Sequence, residues 1–380
     1  MEFLAGIWNY VVVFLLILTV VVFVHELGHY LVARWNGVRV DVFSIGFGPE
    51  VWGFNAKSGT RWRISLLPLG GYVKMFGDAD ATSATGDDRP MTEDEKAVSF
   101  RFKRVGQRAA IVFAGPAANF IFAILGLAGL FMVLGQTITE PVIGQVLPET
   151  AAAEAGLKAG DRVTAINGST ITRFQDIQRI VRIEIERPLR ITLDRSGQVV
   201  DVVARPRVIQ RKGMFGDMEK VPVLGVSADP SRTSVVSHGP GSALLESLRE
   251  TESMVVATFV GIGQMINGTR DSEELGGPIR IAKGAGEAAQ LGVASVVFYT
   301  ILLSLNLGLI NLFPIPVLDG GHLVFYAFEA ILGRPLGEKA QEYGFRIGLF
   351  LVLALMVFAT RNDIVSLPIW DVVKRLFSVT

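Results

Sequence analysis

The chain has 380 residues, no cysteine, four histidines and a formal net charge of zero, from 36 Lys plus Arg against 36 Asp plus Glu. Half of it is hydrophobic, more than a soluble domain needs, which points to a membrane protein carrying some soluble mass. The balanced charge gives no global signal for nucleic acid. The missing thiols exclude a disulfide framework and thiolate metal ligands, so any metal must be held by His and carboxylate.

The first element is an apolar run, Val11 to Trp35, read as a spanning helix from about Ile7 to Ala33. It lacks the basic start of a signal peptide, offering only Glu2, and is too long for an apolar signal core. Near its end stand His25, Glu26 and His29, as "HELGH". Ionisable groups at membrane depth cost about 3 kcal/mol or more unless paired, so such a cluster is functional by default. On a helix His25 and His29, at i and i+4, share a face and can reach one metal ion, with Glu26 placed as a general base. Zinc in such a site acidifies water to a pKa of about 7 and polarises a carbonyl.

Further along, "GFGPEVWGF", the turn-like "NAKSGT" and the alternating "RWRISLL" predict a β-hairpin against the membrane, which would either offer an exposed strand edge to an unwound substrate or simply anchor at the interface through Trp52, Phe54 and Trp62. Residues Asp78 to Glu95, acidic and poor in apolar groups, are expected to form a flexible loop. A basic cluster (Arg101, Lys103, Arg104, Arg108) precedes a second span, Ala109 to Leu134. The stretch 139–207 has the alternation of a compact α+β domain: strands at Val142–Val146 and "DRVTAING", a helix near Phe174–Glu184, then two more strands. Residues 208–240 read as irregular. "MVVATFVGIGQMI", Met254 to Ile266, is too short to span and reads as part of an interfacial helix. Val293–Leu312 and Phe345–Ala359 complete a set of four spans, the last needing flanking residues to reach the ~20 required.

Basic residues in short loops set orientation. They put 34–108 and 313–344 in the cytoplasm, leaving both termini and about 136–292 outside. His25 and His29 then lie late in one outside-to-inside helix, and Asp319 just past the end of another, at a similar depth. Were Met254–Ile266 a span, Asp319 would land on the opposite side. A third metal ligand can come from Asp319, His322 or Glu329; His238 is external. Asp319 is favoured because Gly320-Gly321 permits close backbone approach and Pro314 and Pro316 break the preceding helix, as tolerated only where backbone lines a cavity.

Three motifs in order, HExxH, "GPAANF" (Gly115–Phe120) and "NLFPIPVLDGGH", resemble the site-two protease family of intramembrane zinc metalloproteases. "GPIRIAKGAGEAAQLG" and the external domain resemble its bacterial RseP type. The resemblance implies one zinc per chain held by His25, His29 and Asp319, with Glu26 as catalytic base. It implies that Asn311 helps hold the substrate backbone or its oxyanion, that Pro314 and Pro316 are also substrate-binding, and that Gly115, Pro116 and Asn119 pack the second span against the site. The external domain resembles a PDZ module, with Pro141, Val142, Ile143 and Gly144 as its peptide-binding loop; it would act either by β-addition of a peptide or as a size filter. One module, where the best-known relatives carry two, is a departure.

The fold class is thus a polytopic α-helical membrane protein with an external PDZ-like domain and a cytoplasmic membrane-associated β-hairpin. Its segments are 1–34, 35–106, 107–135, 139–207, 208–290 and 291–380. The implied function is cleavage of single-span membrane proteins, of anti-sigma-factor type or remnant signal peptides, in a bacterial inner membrane. The partners are those substrates and the bilayer, with no nucleic acid. The alternatives are a PDZ-bearing adaptor with a degenerate site and a metal transporter, against which intact HExxH, Asp319 and Asn311 argue.

Overall fold

A computed structural model describes residues 2–78, 91–185, 187–212, 218–268 and 275–366. The chain runs α1 (Glu2–Trp35), β1 (Val40–Asn55), β2 (Arg61–Met75), α2 (Glu93–Val98) and α3 (Val105–Val133). Next come β3 (Gln136–Thr139), β4 (Ile143–Val146), α4 (Ala151–Glu154), β5 (Arg162–Ile166), β6 (Ser169–Thr170), α5 (Phe174–Ile183), β7 (Leu189–Arg195) and β8 (Gln198–Ala204). Strands β9 (Arg207–Lys212), β10 (Met218–Val223), β11 (Val226–Ala228) and β12 (Thr233–Val236) follow. Helices α6 (Pro240–Ile266), α7 (Pro278–Leu291), α8 (Val293–Asn311), α9 (Asp319–Leu332) and α10 (Glu338–Ser366) complete the described chain. Two compact units divide it: residues up to 127 with 277–365, and residues 128–276.

Four described helices are long and apolar enough to cross a membrane: Tyr10–Trp35 of α1, α3, α8 and Lys339–Val365 of α10. Helix α6, which holds Met254–Ile266, is not among them. In the first unit small residues let these helices approach closely, the packing available where lipid removes the hydrophobic drive. A Cβ on Gly28 would lie 2.2 Å from the Ala114 carbonyl oxygen, and one on Gly286 would meet the Tyr10 ring. Asp363, buried near the end of α10, accepts from Gly277 N (2.8 Å), Ile279 N (2.9 Å) and Arg280 N (3.1 Å), capping α7 across more than eighty residues of sequence.

Strands β1 and β2 form an antiparallel hairpin with several register shifts, closed by a turn in which Ala56 N donates to Thr60 O. Its base is held by Val38, Val40, Phe43, Val73 and Met75, packed with Ala33 of α1 and Ile111 of α3. Phe43 stacks on Trp62 at 4.1 Å, and Tyr30 of α1 meets both edge-on. Farther out the hairpin exposes Val51, Trp52, Phe54, Leu66, Leu67 and Leu69. The segment read as a loop ends in the start of a helix, Glu93–Val98, nucleated by a capping box between Thr92 and Glu95; residues 79–90 lie outside the described residues.

The second unit holds an α+β core of Ile143, Ile166, Ile177, Leu189, Ile191 and Leu193, each almost wholly buried. Helix α5 covers it with Phe174, Ile177 and Val181, one face of a 3.6-residue period. Two expectations fail here. Residues 207–236 are not irregular but carry four strands: β9 pairs with β10, β11 with β4 and β12 with β3. The partners of β11 and β12 lie about eighty to a hundred residues upstream, beyond any local periodicity. The domain therefore does not end at 207. Second, the Pro141–Gly144 stretch is no open peptide loop. Ile143 N donates to Asp161 O, Val142 N to Glu140 O, and the Pro141 and Val142 carbonyls accept from Val163 and Asp229. With Val142 and Ile143 buried and β11 on β4, the backbone of Pro141 to Ile143 is already spent within the fold.

Candidate metal centre

Helix α1 turns His25 and His29 to one side, and both are buried. Facing them is Asp319, the first residue of α9. His25 Nε2 lies 3.2 Å from His29 Nε2 and 3.1 Å from Asp319 Oδ2, which is 3.6 Å from His29 Nε2. Among the described residues these three form a group whose ligand atoms lie within 4.8 Å of one another. Glu26, half-buried, sits beside them on α1, where β2 runs past: a Cβ on Gly71 would fall 3.1 Å from Glu26 Cγ.

Helix α3 orients both imidazoles. Pro116 lacks an N–H and deprives the Val112 carbonyl of its helical donor, loosening the turn there. The adjacent Ile111 carbonyl accepts from His29 Nδ1 at 2.9 Å, which leaves the Nε2 lone pair facing His25 and Asp319. His25 Nδ1 lies 3.1 Å from the amide of Asn119, a fully buried side chain whose Oδ1 has no partner. Turning that amide over lets Oδ1 accept from His25 Nδ1–H. Gly115 makes the room: a Cβ there would lie 2.2 Å from His29 Nε2.

Asp319 arrives on a tight return. Helix α8 ends at Asn311, and Gly320 and Gly321 tuck under the carbonyls of Phe313 and Ile315, where a Cβ would come within 2.4 Å of oxygen. Val317 in this return has φ +126°, a strained conformation for a β-branched residue. Gly348 of α10 packs directly on the Pro316 carbonyl. Asn311 is half-buried, with no hydrogen bond to its side chain among the described residues; Pro314 is exposed and Pro316 half-buried.

The other candidates sit elsewhere. His322 packs its ring 5.3 Å from that of Phe345, Glu329 binds Arg108 at 2.5 Å, and His238 Nε2 meets Gln136 Oε1 at 3.1 Å. Sequence reading had no signal for the Ile111 carbonyl, since any residue supplies one.

The donor set fits a zinc ion. With the ring protons on Nδ1, two Nε2 lone pairs and the Asp319 carboxylate face one another, and Asp319 Oδ2 is buried without a hydrogen-bond partner. Three converging acceptors without a proton between them are unfavourable unless a cation joins them. Their spacings match the ~3.3 Å between neighbouring ligand atoms of a tetrahedral zinc with bonds of about 2.0–2.1 Å.

Comparison with known proteins agrees. The model of Peptidase family M50 matches residues 13–355. A protein of Agrobacterium fabrum named "Putative zinc metalloprotease" is 46% identical over 369 residues, 96% of this chain and 97% of the relative. Metalloprotease MmpA of Caulobacter vibrioides is 37% identical over 392 residues, again 96% of this chain and 97% of the relative. Among solved structures, the PDZ domain of an SdrC-like protein from Listeria monocytogenes covers 24% of this chain and 90% of its own, with TM-score 0.20 and 16% identity. The chain belongs to peptidase family M50, the site-two protease family, and is a membrane-embedded zinc metalloprotease.

Proposed function

We propose that the protein is an intramembrane endopeptidase holding one zinc with His25, His29 and Asp319, and that it cuts single-span membrane proteins. The observation that carries this reading is the convergence of two buried imidazoles and the half-buried Asp319, whose Oδ2 is buried without a hydrogen-bond partner, beside Glu26 of an apolar helix. Bound zinc supplies Lewis acidity, lowering the pKa of water and polarising the scissile carbonyl. Glu26 takes the proton of the attacking water on a carboxylate oxygen and passes it to the leaving amide nitrogen. Asn311, with its amide uncommitted, hydrogen-bonds substrate backbone. A helical substrate has its amides paired internally and must unwind to be cut; the β2 strand beside Glu26 and the return through Pro314 and Pro316 receive the freed groups.

Arg34, Arg39, Arg101, Lys103, Arg104 and Arg108, with Arg334 and Lys339, support an orientation with the metal centre near the cytoplasmic face, where water reaches it. Both termini and the mid-chain domain, which we read as of PDZ type, then face the periplasm across a bacterial inner membrane. Anti-sigma-factor-type proteins and remnant signal peptides, already trimmed outside, are the substrates, and the mid-chain domain screens them.

The test is cleavage of a single-span reporter by purified enzyme. Glu26→Gln abolishes cleavage while zinc stays bound, because the base is not a ligand. Cleavage by Glu26→Gln at the wild-type rate contradicts the assignment.

A further inference from the structure

Asp319 is carried by α9, and beyond Tyr326 little else anchors that helix. Of its last six residues, Ala327 to Leu332, all are exposed except Glu329. Glu329 receives Arg108 Nη2 at 2.5 Å, and both side chains are largely buried, 13% and 14% exposed. Arg108 is itself held in place. Its Nε donates to Lys103 O at 3.1 Å, and its guanidinium lies 4.9 Å from the centre of the Tyr326 ring, one helical turn before Glu329. A planar fork so fixed on three sides sets a direction as well as a charge, which a lysine would not.

Arg108 belongs to α3, the helix that orients His29 through Ile111 and His25 through Asn119. We propose that Arg108 and Glu329 are the positioning pair for the third ligand. By clamping α9 to α3 about 15 Å along the helix axis from Asp319, they hold its carboxylate in the frame that already fixes the two imidazoles. Helix α3 is then the common reference for all three ligands. Leu323 and Tyr326 pack α9 against the hairpin base and limit its translation, while the ion pair sets its rotation. This rests on the reading of Asp319 as a zinc ligand.

The test is the rate at which full-length, zinc-loaded protein loses metal to a chelator, read beside its thermal melting. Glu329→Gln and Arg108→Ala lose zinc at least about 10-fold faster than wild type, the scale of supporting groups at metal sites. The reciprocal pair Arg108→Glu with Glu329→Arg restores retention to within about 3-fold of wild type. A purely structural role would lower melting without changing zinc loss in the folded protein. Wild-type retention in the folded single variants, or a reciprocal pair that loses zinc as fast as the singles, overturns the inference. Should Arg108→Ala not fold, Arg108→Lys is read by the same criterion. Asp319→Ala separates the two readings: if it keeps zinc, the ligand assignment fails; if it alone loses zinc, only the positioning role fails.

Discussion

The meeting of His25 and His29 was legible because a helix puts positions i and i+4 on one side, which here faces Asp319, and an apolar span makes idle charges there costly. What the spacing could not carry is how the imidazoles are aimed. That depends on a carbonyl at Ile111 and an amide at Asn119, more than eighty residues away and set by the packing of two helices. Gly115 shows how tight the fit is. Gly115→Ala pushes a methyl into His29 and lowers zinc affinity at least about 10-fold, measured by chelator competition. Gly129→Ala, on the same helix with open space around it, leaves affinity unchanged. Asn119→Leu strands the His25 Nδ1–H without an acceptor and weakens zinc by about 10- to 100-fold. Equal affinity in Gly115→Ala and Gly129→Ala would show that His29 is not held by this contact.

The long helices were the easiest elements to read, since about 20 apolar residues leave few alternatives. The fourth was read short at Phe345–Ala359, a stretch flanked by Glu342 on one side and by Arg361 and Asp363 on the other. The structure pairs Arg346 with Glu342 and gives Asp363 to the start of α7, so the helix continues through both. Strands β9 to β12 escaped because their order is set by non-local pairing. That pairing also says where the mid-chain domain can be cut. Thr139 and Thr233 lie side by side, their hydroxyl oxygens 3.2 Å apart on β3 and β12, so replacing 140–232 with a two-residue Asn-Gly turn leaves a closed ladder. This variant is predicted to fold, keep zinc and cut pre-trimmed substrate, while losing discrimination against full-length substrate. Excising 139–207 strips β4 from β11 and is predicted to aggregate; size-exclusion profiles of the two separate the cases. Within the domain, burial pushes the Asp161 carboxyl up, but bonds from Arg195 and from the Lys158 amide outweigh it and hold the group below its ordinary range. A depressed folded value contributes stability fully present above the unfolded pKa of about 4 and lost as pH falls through the folded one. Melting of this domain therefore declines below about pH 4, and Asp161→Asn flattens that decline while lowering melting at neutral pH. An unchanged slope in Asp161→Asn would assign the acid sensitivity to other carboxylates.

Taken as a whole, the chain places a candidate metal centre built from α1, α3 and α9 among apolar helices, with the mid-chain domain inserted between the second and third candidate spans. The proposed orientation follows from basic residues alone and is open to labelling in a chain that has no cysteine of its own. Single cysteines at Arg34 and Gly333 should react only from the cytoplasmic side, and one at Gly241 only from the periplasmic side. Labelling of the first two from opposite sides would place α1 and α9 at different depths and remove Asp319 from the site. The reading of the centre itself stands or falls on metal content. Purified full-length protein should carry about one zinc per chain, as two histidines and one carboxylate hold it with a position left for water. Glu26→Gln should carry the same amount, and His25→Phe and Asp319→Ala almost none. Stoichiometric zinc in folded His25→Phe or Asp319→Ala, or none in active wild type, would contradict it.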